Sequence, residues 1–95
     1  MSEDVRDNPA RHRFELMVDN HLSFSAYTID GPVITFTHTI VPPELGGRGI
    51  GSRLIAGALA QVRARGLKVR PVCSFVRGYI ERHPEMQDLL VDSPP

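Results

Sequence analysis

The chain has a single cysteine, Cys73, so it can form no disulfide within itself. That excludes a disulfide-stapled secreted scaffold and fits a reducing compartment, so the sequence predicts a cytoplasmic protein. An excess of charge of one sign is also missing. Eleven basic and 11 acidic side chains cancel to a net charge of zero, and aromatic residues make up only 6%. A nucleic-acid surface needs a basic footprint and stacking rings, so no nucleic-acid partner is expected. No apolar run approaches the length of a membrane span, and the first residues lack the apolar core of a signal peptide. No membrane partner is therefore expected. One cysteine and four scattered histidines lack metal-ligand spacing, which predicts no metal. The chain holds no repeat and no low-complexity block.

What is present suits one domain of mixed α/β (α+β) class. Residues 1–11 are polar and charged and read as a mobile N-terminal tail, 12–91 as the compact domain, and 92–95 as a C-terminal tail. Arg13–Val18 carries strand residues with Phe14, Leu16 and Val18 on one face. Asp19-Asn20 is a hairpin signal, and His21–Ile29 alternates again. Leu22, Phe24, Ala26 and Thr28 share one face, and Ser23, Ser25, Tyr27 and Ile29 the other. Asp30-Gly31 marks a second turn, Pro32 opens the next strand, and Val33–Val41 is rich in β-branched and aromatic residues. These segments predict an antiparallel meander of three strands.

Helical spacing begins at Ile50, where Ile50, Leu54, Ile55, Ala58, Leu59 and Val62 form one apolar face as far as Gly66. Gly57 inside this helix predicts close packing on the sheet. Leu67–Val72 reads as a fourth strand. A strand, a helix and a strand in sequence make a crossover, so the third and fourth strands should be parallel. A second helix begins at Cys73-Ser74, with Phe75, Val76, Tyr79 and Ile80 on its apolar side. It ends before Pro84, which can open a further short helix through Leu90.

Between the third strand and the first helix lies Gly46-Gly47-Arg48-Gly49-Ile50-Gly51-Ser52. Glycines there permit positive φ and close backbone approach, and a helix start presents unpaired N–H groups with partial positive charge. The stretch is a natural cradle for phosphate. It is not a P-loop, because Ser52-Arg53 rather than Lys-Ser/Thr follows Gly51. It also fails the dinucleotide pattern G-x-G-x-x-G, since Ser52 stands where the third glycine belongs.

The segment Ile40-Val41-Pro42-Pro43-Glu44-Leu45 followed by this loop resembles the acyl-CoA-binding segment of the GNAT superfamily of N-acetyltransferases. More narrowly the chain resembles the small single-domain, YjdJ-type GNAT-like acetyltransferases. Phe36-Thr37-His38-Thr39, Pro71-Val72-Cys73-Ser74-Phe75-Val76 and Tyr79-Ile80-Glu81-Arg82-His83-Pro84-Glu85 carry that likeness, which spans Arg13 to Leu90. One position departs: where the superfamily loop has Gln or Arg, this chain has Gly46.

The resemblance implies a GNAT-like fold and acetyl-CoA as the cofactor. Backbone N–H groups from Gly46, Gly47, Arg48, Gly49, Ile50, Gly51 and Ser52 would take its pyrophosphate. Thr39, Ile40 and Val41 would border its pantetheine arm, and an N–H near Val41 would polarise the thioester carbonyl. Cys73 and His38 are the candidate catalytic side chains. A helix start favours thiolate, which suits Cys73 as nucleophile, as acid to the departing CoA sulfur, or as part of the acceptor pocket. The alternative is that it packs as a small buried hydrophobe. His38 could act as a base near neutral pH, or be structural. Two functions are carried forward. One is transfer of acetyl to an unidentified small-molecule or protein amine, by a monomer or a dimer. The other is a non-catalytic CoA-binding or partner-recognition module.

Overall fold

A computed structural model describes residues 5–91. Its strands are β1 (Arg6–Asn8), β2 (Arg13–Val18), β3 (His21–Asp30), β4 (Val33–Ile40) and β5 (Lys68–Pro71). The helices are α1 (Ile50–Ala64) and α2 (Ser74–Arg82), and 3₁₀ turns lie at Pro9–Arg11, Pro43–Leu45 and Pro84–Leu89. The strands form one sheet in the order β1-β2-β3-β4-β5. All neighbours are antiparallel except β4 and β5, which run parallel through the α1 crossover. The three-strand meander and the parallel fourth strand of the sequence reading are β2–β4 and β5.

Local chemistry accounts for the turns. Asp19 and Asn20 both adopt positive φ, 50° and 63°, as a two-residue hairpin between Val18 and His21 requires. Gly31 (φ 58°) and Pro32 close the next hairpin, so Pro32 lies in the turn and not in the strand. Gly66 (φ 71°) ends α1, as Gly after a basic last turn does.

Both helices pack on the sheet face that carries Phe14, Leu16, Val18, Tyr27, Ile34 and Phe36. The expected stripe of α1, from Ile50 to Val62, is buried against them. From α2 the core receives Val76, Tyr79 and Ile80; Phe75 is 40% exposed and belongs elsewhere. On the opposite face the Arg13 guanidinium lies 4.4 Å from the Phe24 ring centre, and His38 meets that ring edge-on.

The N-terminal segment is not the tail that composition suggested. Residues 6–8 pair with β2, and Asn8 donates to Glu15. Asp7 accepts from the Tyr27 hydroxyl at 2.5 Å and from Arg65 at 2.7 Å. Gln61 donates to the Val5 carbonyl at 2.9 Å. Gly57 is explained here too: a Cβ on it would come 2.5 Å from Val5 Cγ2. The close approach is therefore to this segment rather than to the sheet. Residues 1–4 of the expected tail, and 92–95 at the other end, lie outside the described residues.

The C-terminal turn is fastened to the same helix. Arg63 grips Asp88 with both terminal nitrogens at 2.8 Å and also reaches the Glu85 carbonyl. Val91 donates to Val69 at 3.0 Å, extending hydrogen bonding past the outer edge of β5. No helix among the described residues is long and apolar enough to cross a membrane.

Candidate functional site

The site grows from the way β4 ends. Pairing with β5 stops at Phe36–Pro71, although β4 runs on to Ile40. Proline has no N–H to extend a ladder, and after Pro71 the chain turns away into α2. Cys73 N then donates to Phe36 O at 2.9 Å, which holds the start of α2 beside the strand. Beyond Phe36, β4 has no strand on that side among the described residues.

A bulge decides which side chains face this opening. The β3–β4 register passes from Ala26–His38 to Tyr27–Phe36, leaving Thr37 without an opposite number. One extra residue inverts the alternation. Phe36 and Thr39 therefore share the helix-covered face, while His38 and Ile40 turn outward, Ile40 being 47% exposed. Cys73, 7% exposed at the N-cap of α2, lies with its Sγ 3.4 Å from Thr39 Oγ1. The two catalytic candidates are thus on opposite faces of the sheet, and the structure does not bring them together.

Thr39 Oγ1 lies 2.9 Å from Ser25 Oγ. Ser25 is fully buried, and its hydroxyl has no other hydrogen-bond partner among the described residues. A buried hydroxyl proton left unbonded costs about 1–3 kcal/mol, so Ser25 donates to Thr39. Thr39 Oγ1 thus stands within hydrogen-bond reach of both Ser25 Oγ and Cys73 Sγ. Ser23, two residues away on the same face, is also buried, and its hydroxyl has no partner among the described residues.

The glycine loop supplies the second part. The 3₁₀ turn Pro43–Leu45 is anchored by buried Leu45. Gly47 and Gly49 follow with φ of 77° and 70°. Gly49 is the N-cap of α1, where no side chain caps the helix and no acidic residue occupies the first turn. The first N–H groups of α1 therefore keep their hydrogen-bonding capacity and their share of the macrodipole. They border a cavity of about 220 Å³ lined by Val41, Leu45, Gly46, Gly47, Gly49, Ile50, Gly51, Ser52 and Phe75. Backbone-rich glycines form one part of that wall, and apolar side chains another.

Arg48 is turned elsewhere: it pairs with Asp19 at 2.7 Å and ties the loop to the β2–β3 hairpin. Leu45, Phe75 and Ser25 were absent from the sequence-based candidates. For Phe75 a signal existed in the sequence, since it stands two residues after Cys73, but its place in an apolar helical stripe pointed to the core. The ring lies instead against Gly51, where a Cβ would collide with it.

A mostly antiparallel sheet with helices on one face, an edge pair turned parallel by a crossover, and a glycine-rich loop with a cavity at the start of the crossover helix together define a GNAT-like α+β domain. The chain belongs to the GCN5-related N-acetyltransferase family, whose model matches residues 13–89. It is also similar to the NMR solution structure of a GCN5-like candidate N-acetyltransferase from Staphylococcus aureus. That likeness has a TM-score of 0.73 at 28% identity and covers 99% of this chain and 94% of the other.

Proposed function

We propose that this protein binds acetyl-CoA and transfers its acetyl group to an amine that is still unidentified. The observation that carries this reading is the uncapped, acid-free start of α1 opening into a cavity at the unpaired end of β4. An anion is favoured at such a helix start, and the glycines let it approach the backbone. The coenzyme, when bound, supplies an acetyl group activated as a thioester. N–H groups between Gly46 and Ser52 hold the pyrophosphate. The free edge of the chain from Thr39 through the end of β4 to Val41 borders the arm, and an N–H near Val41 polarises the carbonyl. Cys73 Sγ lies 3.4 Å from Thr39 Oγ1, beside that edge. That arrangement suits a thiol acting as nucleophile or as the group that protonates the departing sulfur.

A second reading, a CoA-binding module without catalysis, is favoured by one observation. His38 faces away from Cys73 across the sheet, so the thiol has no imidazole base from that residue. One set of measurements separates the two. CoA should raise the melting temperature by mass action. Gly49→Val should abolish that shift, because a β-branched residue is strained at φ 70°. Equal shifts in both proteins would place the ligand away from this loop. Mass spectrometry after incubation with acetyl-CoA reports any acetyl group on Cys73, and assays against a panel of amines report turnover. Binding with neither acetylation nor turnover would favour the module.

A further inference from the structure

The side chain of Phe75 links two features that the sequence keeps far apart. Its backbone lies in the first turn of α2, two residues after the Cys73 N-cap. Its ring rests on Gly51, in the first turn of α1, and forms part of the cavity wall. Gly51 has no positive φ to demand glycine; its missing side chain makes room for this ring. Phe75 is nonetheless 40% exposed, so the ring is not consumed by the core. The ring lines the same cavity as the glycine loop, and in sequence it stands two residues from Cys73.

We infer that Phe75 is a specificity-determining residue: its ring is the apolar wall that selects a ligand carrying a long, weakly polar arm beyond its phosphates. The cavity lining is mixed in chemistry, combining glycine backbone and Ser52 with the apolar side chains of Val41, Leu45, Ile50 and Phe75. The glycine part recognises charge and is indifferent to what the phosphate carries. Phe75 distinguishes, because burying its exposed ring surface requires an arm to lie on it. This inference rests on the proposed CoA-binding function and assigns a separate part of the affinity within it.

The test compares two probes, CoA and ADP, which shares the pyrophosphate and lacks the arm. Both are titrated by NMR into the wild-type protein, Phe75→Ala and Phe75→Leu. Phe75→Ala should weaken CoA by about fivefold or more, the loss expected for an uncovered aromatic contact. Phe75→Leu should recover part of that loss, and ADP should change by less than about twofold in either variant. If the wild type binds CoA and Phe75→Ala binds it equally well, the inference falls and the functional reading stands. Parallel losses for CoA and ADP also overturn it, since the ring would then be shaping the anion cradle. Wild-type protein that binds no CoA overturns the functional reading, and this inference with it. Because the ring is partly exposed, unchanged amide spectra away from the cavity serve as the control for folding.

Discussion

Gly46 and Gly49 stand three residues apart, yet their backbones make different demands. Gly49 has φ 70°, which glycine adopts without strain and a bulky or β-branched residue does not. Gly46 has φ −60° and ψ 145°, a conformation open to any residue. A side chain at position 46 meets one tight contact, Pro43 O at 3.2 Å from the ideal Cβ. Gly46→Arg should therefore be tolerated. It should tighten CoA binding by roughly 0.5–1 kcal/mol through lost loop freedom, with an added cation near phosphate. Calorimetric titration of both proteins checks this. Weaker binding at unchanged stability would mean that the Pro43 carbonyl cannot yield.

At this same scale the sequence did not show which face of the sheet His38 takes. Ile34, Phe36, His38 and Ile40 alternate as though they shared a face. The unpaired Thr37 breaks that alternation, and its hydroxyl donates to the Ala26 carbonyl opposite. A bulge is set by cross-strand register, which a single segment does not display. The Thr39–Ser25 hydrogen bond was hidden for the same reason: it joins residues 14 apart through strand pairing.

Among elements, β2–β4, α1, β5 and α2 were legible because periodicity and turn chemistry agreed along each segment. β1 was not. Arg6-Asp7-Asn8 has no strand propensity, and tertiary bonds from Tyr27, Arg65 and Gln61 hold its surroundings in place. Gly57 was noticed, but its partner was misassigned, because Val5 lies 52 positions earlier. Alanine at 57 improves helix propensity by up to about 1 kcal/mol, yet its Cβ would press on Val5. Gly57→Ala should therefore loosen the N-terminal strand and leave α1 intact. Hydrogen exchange reads this directly: β1 amides should exchange faster, with α1 protection kept. Unchanged β1 protection would show that Val5 moves aside without cost.

For the molecule as a whole, two groups should contribute to the pH dependence of stability from opposite sides. The Arg63 hydrogen bonds, and then the charges of Arg63 and Lys68, hold the Asp88 carboxyl below its ordinary 3.8. A folded value below the unfolded one contributes stability above the unfolded value, and this is lost as pH falls through the folded one. Burial, and then the hydrogen bond and charge of Asp7, push the Tyr27 phenol from 10.0 up to about 12. That contribution is complete below 10.0 and disappears as pH rises toward about 12. Asp88→Asn should flatten the acid limb of a urea-midpoint profile, and Tyr27→Phe the alkaline limb. The acid effect should also shrink in high salt, since the Arg63–Asp88 pair is solvent-exposed. Unaltered limbs in both variants would mean that other groups govern the titration.

The fastening of both chain ends to one helix has a mechanical consequence. Gln61 and Arg65 hold the segment at Val5–Asp7, and Arg63 between them holds Glu85 and Asp88. Tension applied between Val5 and Val91 would be shared by these side-chain bonds, the β1–β2 pairing and the Val91–Val69 bond. The cavity lies at the opposite end of that helix. A tug on either terminus would thus be absorbed at a distance from the glycine loop.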